Sequence, residues 1–415
     1  MKILLEHTEN REQPTGIAVH QKNLFKIIND NFETHLLYDN FDFHNKSCVN
    51  IFKLNDFKKK IKLFYSIFRI YFYFIFKISL LRQFKVNNCY NFPKFQNYLN
   101  KFKKDNIYNI YGLKLAMNIT TLLNLPISLY LDKNEIDIVH CPFLNTYNFK
   151  NAYKICTIHD TIPFDFPDFV VADLKFLKNK YTKTIETSDL IFTVSQTTKN
   201  DILKHFNVLP EKIFVTYQTF IPPKNILNNT SILQKYNLEK GKYFIFYGAI
   251  EPKKNIINLI KGYLKTNNKK KLLIVGSKGW KNKIIFDFID DLNLRDKKRV
   301  IIIGHTVEND LYFLLQNSNA LLFPSLAEGF GLPVLEAMFL GVPCVISNIV
   351  VFKELYNEAA LFVDPYSITS ISNAIDTLEN EFIINKLKSK MKIIIKKYSR
   401  ERYLSKIKEG YDLLR

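Results

Sequence analysis

Two glutamates eight positions apart, Glu328 and Glu336, bracket a turn in the stretch Ser325-Leu-Ala-Glu-Gly-Phe-Gly-Leu-Pro-Val-Leu-Glu336. A pair of carboxylates can run acid and base chemistry or hold hydroxyl groups, and the residues between them bear on the choice. Gly329 and Gly331, with Phe330 and Leu332, make a turn whose backbone can approach a ligand closely. Pro333 opens an apolar periodic segment and suits the first turn of a helix. The first amides of a helix lack partners within it, so a bound anion such as a diphosphate is stabilised there by about 0.3 to 1 kcal/mol per exposed charge. Glu336 offers two acceptor oxygens that suit vicinal hydroxyls such as a ribose diol, and Glu328, in the loop ahead of the helix, reaches a different part of the same ligand. A glutamate in the first turn of a helix is also common for dipole reasons alone. The pair, both glycines and Pro333 together are far more specific.

Other segments carry groups of matching chemistry. Gly248-Ala-Ile-Glu-Pro-Lys-Lys-Asn255 sets Lys253 and Lys254 where a basic pair can neutralise a diphosphate leaving group, although solvated lysines near a helix start are the plainer reading in so basic a chain. Thr157-Ile-His-Asp-Thr-Ile-Pro163 puts the polar pair His159 and Asp160 directly after an apolar run. Thr15-Gly16-Ile17 lies between the first strand and first helix, where Gly16 lets amides approach phosphate, a weak signal without Gly-x-Gly-x-x-Gly. Ser195 reads first as a helix cap, and His140 and His305 read as structural. No Asp-x-Asp occurs, so the charge of a diphosphate is expected to fall to amides and lysines, with no metal and no cofactor.

These groups need a scaffold that brings distant loops together, and the pattern supplies one. Strands are expected at 2–8, 34–38, 136–140, 153–158, 190–194 and 213–216, with helices at 16–29, 172–187 and 197–206. The segment 217–240, with Pro222-Pro223 and several Asn, reads as a linker. Strands follow at 243–247, 271–275, 300–303, 320–323, 344–346 and 360–363, with helices between them. Such alternation gives α/β architecture: two doubly wound Rossmann-like domains facing across a cleft, with ligands at the carboxyl ends of the strands.

A chain of 415 residues suffices for two domains. Cys48, Cys89, Cys141, Cys156 and Cys344 are scattered singly, which suggests neither zinc nor a disulfide framework. The opening Met-Lys-Ile-Leu-Leu-Glu runs into a strand pattern without the features of a signal peptide, so a cytoplasmic protein is expected. Of the net charge of +20, most lies between Lys53 and Lys104, with thirteen Lys/Arg against Asp56. Lys58, Lys62, Ser66, Arg69, Tyr73 and Lys77 step by three or four through an apolar, aromatic segment too often interrupted to span a bilayer. Residues 57–85 are therefore expected to form an interfacial helix on an anionic membrane leaflet, the plainer alternative being a helix packed on the first domain with a basic edge. Nucleic acid is not expected as a partner, because no zinc-finger, RNA-recognition or helix-turn-helix signature is present.

The block Glu328 to Glu336, the Gly-x-x-Glu-Pro-Lys-Lys-Asn segment and Gly341-Val-Pro-Cys-Val-Ile-Ser-Asn348 together resemble glycosyltransferase family four, retaining enzymes of two Rossmann-like domains that use nucleotide-sugars. The resemblance implies that Glu328 contacts the donor sugar, Glu336 the ribose, Lys253 and Lys254 the diphosphate, and His159 the donor sugar from the facing domain, with Asp160 orienting it or binding acceptor. It implies departure of the diphosphate with acceptor attack on the same face. Two departures from the family pattern are Ala249, where some members carry arginine, and Thr15-Gly16, where members often have two glycines. Residues 1–220 are then an acceptor-side domain with a basic aromatic insertion at about 53–125, 221–241 a linker, 242–395 the nucleotide-sugar domain, and 396–415 a helix packing back toward the first. The expected partners are a nucleotide-sugar donor, GDP-mannose first, and a glycan or polyprenyl-diphosphate-linked acceptor at the inner face of the cell membrane. A sugar-nucleotide epimerase, a two-carboxylate glycoside hydrolase and a membrane scaffold are the competing readings.

Overall fold

The computed structural model describes residues 1–7, 16–39, 82–83, 107–110, 117–118, 121, 127–131 and 136–415. The segment 57–85 expected as an interfacial helix lies outside the described residues, except for Arg82–Gln83, which form a short strand. Among the described residues no helix is long and apolar enough to cross a membrane.

The first sheet is built from β1 (Lys2–His7), β2 (Glu33–Asp39), β3 (Arg82–Gln83), β4 (Ile107–Ile110), β6 (Ile138–Cys141), β8 (Tyr153–Ile158), β9 (Leu190–Thr193) and β10 (Ile213–Val215), in the order β10-β9-β8-β6-β1-β2-β4-β3. Its pairs are parallel, save the antiparallel β3 and β4 at the edge. That edge comes from the insertion, where no strand is expected from the sequence: β3 falls at the end of the segment expected as a helix and β4 lies beyond it. A separate parallel pair, β5 (Ile127–Tyr130) with β7 (Tyr147–Lys150), was missed as well.

The second sheet runs β13-β12-β11-β14-β15-β16, all parallel, from β11 (Tyr243–Tyr247), β12 (Lys271–Val275), β13 (Val300–Ile303), β14 (Ala320–Phe323), β15 (Cys344–Ser347) and β16 (Leu361–Val363). Tyr-Phe-Ile-Phe-Tyr, Ala-Leu-Leu-Phe and Cys-Val-Ile-Ser are buried at every position, as continuous apolar strands covered on both faces must be. The chain order reverses between β11 and β14, so the loops after these two strands diverge and leave a crevice between them.

Each sheet has its own core. Helices 256–265, 332–339, 350–356 and 368–377 cover the second, together with Met391, Ile394 and Tyr398 of the 381–397 segment and its end. The helix Arg400–Asp412 returns to the first sheet, where Tyr403, Ile407 and Tyr411 pack with Ile3, Leu24, Ile28 and Phe192. His140 fastens that return: its Nδ1 lies 2.8 Å from Tyr411 Oη and its Nε2 3.2 Å from Thr157 Oγ1, and burial pushes it down to about 3. The stretch expected as a plain linker contains a helix, Thr230–Lys235, and is pinned to the second domain by Leu227 N donating to Asn309 Oδ1 at 2.8 Å.

Candidate functional site

Because β11 and β14 are neighbours, Phe244 pairing with Ala320 and Ile245 with Leu321, the two motif loops emerge side by side. After β11 a 3-10 turn, Pro252–Lys254, ends on Asn255 in the left-handed region (φ 59). Asn255 Nδ2 donates to the carbonyls of Pro324 at 3.0 Å and Pro365 at 2.6 Å, tying this loop to those after β14 and β16. Lys254 Nζ then meets Glu328 Oε1 at 2.5 Å, with only 12% and 10% of the two side chains exposed. The ammonium also lies 4.9 Å above the Phe323 ring. Burial pushes the Glu328 carboxyl up, but Lys254 and Lys253 outweigh it and hold the group below the usual carboxylate range. Burial likewise disfavours the Lys253 ammonium, yet Glu328, Asp160 and Glu251 hold it above its ordinary value. Glu251, 3.5 Å from Lys253, is pushed up by burial, and its Oε2 has no hydrogen-bond partner among the described residues.

The turn between the two glutamates is one place where the domains touch. A Cβ on Gly329 would overlap the His159 carbonyl oxygen, so only glycine permits this approach. Gly331, at φ +83, caps the helix Leu332–Phe339, and a Cβ there would come within 2.5 Å of the Phe352 ring. The Phe330 and Leu332 side chains are buried in the core and hold the turn from behind. Pro333 brings no N–H and Val334 N donates to Gly331 O at 2.9 Å, so this helix start offers an anion fewer free amides than its sequence implied. An anion bound beside this turn would rest more on the neighbouring Lys253 and Lys254.

Glu336 sits in the second turn of that helix, not the first, and is 3% exposed. Its Oε2 accepts from Tyr247 Oη at 2.7 Å, and burial pushes its carboxyl to about 7. His159 faces Gly329 through its main chain. Its Nε2 donates to Pro142 O at 2.8 Å and its Nδ1 accepts from Gln218 Nε2 at 3.2 Å, so both ring nitrogens are engaged. Burial lowers its basicity and keeps it neutral. Asp160 Oδ1 accepts from Ile162 N at 3.1 Å. Gly16 opens the helix Gly16–Asn29, which places His20 edge-on to His159 with ring centroids 4.8 Å apart. Thr15 lies outside the described residues. Ser195 caps its helix by accepting from Thr198 N at 3.0 Å, and it also donates to Gly329 O at 3.0 Å. His305 is exposed in the loop after β13, so it is not a core histidine.

Sequence reasoning missed the residues that close the two walls on each other. Glu354 Oε1 accepts from Gln196 N at 2.7 Å, and its Oε2 from Thr197 N at 2.8 Å and Thr197 Oγ1 at 2.6 Å. A carboxylate of the second domain thus caps the helix Gln196–His205 of the first. On another rim Trp280 Nε1 donates to Phe169 O and Lys281 Nζ to Asp168 O, each at 2.7 Å. Lys22 pairs with Glu308 at 2.6 Å. Nothing local in sequence marks these pairs, because each joins loops or helices more than a hundred residues apart.

The chain that carries this buried lysine–glutamate pair and glycine turn matches known families over most of its length. The family model Glycosyl transferases group 1 matches residues 228–400, and Glycosyltransferase Family 4 matches residues 110–219. The chain belongs to this glycosyltransferase family. Among curated relatives, the O-antigen chain mannosyltransferase RfbU of Salmonella typhimurium is 34% identical over 228 residues, 54% of this chain and 60% of that protein. The O-antigen chain mannosyltransferase B of Escherichia coli is 27% identical over 226 residues, 52% of this chain and 59% of that protein. The match thus spans about three-fifths of each relative's length. Among solved structures, HepE of Anabaena in complex with UDP and glucose superposes with a TM-score of 0.66 over 100% of both chains at 14% identity. The chain therefore has the two-Rossmann-domain, GT-B fold.

Proposed function

We propose that this glycosyltransferase moves a hexosyl group, with retention, from a nucleotide-sugar to a glycan hydroxyl, with GDP-mannose the first candidate donor. The observation that carries the reading is the Lys254–Glu328 pair on the glycine turn that meets His159. With a donor bound, Lys254 and Lys253 take the diphosphate, Glu328 is released toward the sugar hydroxyls, and Glu336 takes the ribose. The bond between the anomeric carbon and the phosphate oxygen breaks with its electron pair going to the departing diphosphate. The acceptor oxygen attacks on the same face and its proton passes to that diphosphate, so no carboxylate nucleophile is needed. Two largely buried lysines stabilise the developing charge, and this reading calls for no divalent metal. With both ring nitrogens bonded, His159 meets the sugar through its main chain or after releasing Gln218.

The mannosyl donor follows the two O-antigen mannosyltransferases, and a polyprenyl-diphosphate-linked oligosaccharide at the inner face of the cell membrane is the acceptor that suits the basic, aromatic insertion. Melting curves with a panel of nucleoside diphosphates and nucleotide-sugars test the donor side. GDP and GDP-mannose are expected to raise the melting temperature most, and a panel with no stabilising nucleotide would sink the assignment. Incubation of GDP-mannose without acceptor separates transfer from epimerisation, since a transferase leaves the sugar configuration intact.

A further inference from the structure

β11 ends on Tyr247, whose phenol reaches out of the sheet to the helix Leu332–Phe339. Its Oη lies 2.7 Å from Glu336 Oε2 and 3.0 Å from the Pro333 carbonyl oxygen, and the ring is 6% exposed. A phenol has one hydrogen and the Pro333 oxygen can only accept, so the two contacts are read together. With Glu336 neutral, its O–H donates to Tyr247 Oη and the phenol donates to Pro333 O, and both are satisfied. With Glu336 ionised, the phenol turns to the carboxylate in a stronger, charge-assisted bond and leaves Pro333. In either state one carboxyl oxygen is fixed. The other, Oε1, carries no hydrogen bond to a described residue. The charged groups acting on it from other elements are Glu308, at the start of the helix Glu308–Gln316, and Lys22 of the helix Gly16–Asn29, which pair with each other across the two domains. Glu336 therefore lies near the place where these two helices meet across the domains.

We propose that Tyr247 is the positioning residue of Glu336: it anchors Oε2 and so turns Oε1 to the cleft to receive the ribose diol of the donor. The proposal rests on the reading of Glu336 as the ribose holder given above. It carries a pH signature. Burial pushes the Glu336 carboxyl to about 7, Tyr247 pulls it down, Glu308 pushes it up and Lys22 pulls it down. The ionised, strongly accepting form is present above that pH and is lost as pH falls through it, so the diol-dependent part of nucleotide affinity grows as pH rises through neutrality. Without the phenol that rise moves to higher pH.

The test is calorimetric binding of GDP and UDP against their 2′,3′-dideoxy counterparts, from about pH 5.5 to about pH 8.5, for wild type, Tyr247→Phe and Glu336→Gln. Wild type is expected to prefer the ribonucleotides by about tenfold at the alkaline end and by little at the acid end. Tyr247→Phe is expected to cut that preference severalfold and shift its midpoint upward, with dideoxynucleotide affinity unchanged. An equal loss for both nucleotide types would reduce Tyr247 to a packing role and overturn the proposal, as would an unaltered preference and midpoint. Glu336→Gln separates the two layers. If it abolishes the preference while Tyr247→Phe does not, only the role of Tyr247 falls; if it leaves the preference intact, the assignment of Glu336 to the ribose falls. Should Tyr247→Phe fail to fold, the wild-type profile decides alone, and a ribose preference that is flat with pH overturns the proposal.

Discussion

The wall after β11 and β14 presents charge, with Glu251, Lys253, Lys254 and Glu328 packed in one network, whereas the wall after β8, β9 and β10 presents mainly main chain and neutral hydrogen bonds around His159, Ser195 and Gln218, beside the carboxylate of Asp160. Both are the carboxyl ends of parallel strands, so the architecture does not force the difference. It reflects a division of labour. A network of buried opposite charges can re-pair when an anion arrives, because each ion already has a partner that it can exchange. Satisfied neutral bonds of the kind around His159 and Ser195 have no ion to exchange and set distances instead. Under the proposed transfer reaction the charged wall would stabilise a departing diphosphate and the wall around His159 would fix how near the other substrate comes.

The sharpest way to break that comparison is to move the wall around His159 without touching a charge. Gly329→Ala puts a methyl group into the His159 carbonyl oxygen and 3.0 Å from Asp160 Cβ, so the walls must separate. A displacement of about 1 Å in a catalytic geometry costs on the order of a hundredfold, and a loss of transfer of that size is expected with little change in the melting of either domain. Wild-type turnover would mean that the walls do not close to this distance during catalysis. Next in size come the charges themselves. Lys254→Ala and Glu328→Ala are each expected to lower kcat/KM for transfer by at least about tenfold, a loss of about 1.4 kcal/mol or more in transition-state binding. The double variant should lose less than the product of the two, because each single change strands a buried charge. Additive losses would show that the two groups act on separate parts of the donor without pairing.

The same division explains what could be read from the chain. The charged wall was legible because its residues fall within short segments whose spacing is fixed by local turns: Lys253 and Lys254 in one 3-10 turn, Glu328 and Gly331 around one helix start. The strands beneath were legible for a related reason, since Tyr243–Tyr247, Lys271–Val275, Val300–Ile303 and Ala320–Phe323 are continuous apolar runs. What the wall around His159 does depends on contacts across long stretches of chain. Gln218 meets His159 from 59 positions away, and Ser195 meets Gly329 from 134. The sequence could name His159 but could not show that its ring is already occupied. Nor could it show that Glu336 stands in the second turn of its helix, where burial and Tyr247 govern it and the helix dipole does not.

The smallest effect expected is also the one that asks whether the walls are held together from outside the site. Glu354 supplies one carboxylate to two backbone amides and a hydroxyl at the start of the helix Gln196–His205, a helix cap lent by the other domain. A capping side chain contributes about 1 kcal/mol, and here that energy favours the closed arrangement over any open one. Glu354→Ala should therefore lower kcat/KM by roughly fivefold. Because Glu354 touches neither Lys254 nor Glu336, nucleoside diphosphate affinity of the second domain should hold near wild type while transfer falls. Small-angle scattering of the variant with nucleotide bound should show a larger radius than wild type. Equal radii with reduced transfer would place the effect of Glu354 in the orientation of the helix Gln196–His205 and Ser195, and closure would then rest on Trp280, Lys281 and the Lys22–Glu308 pair.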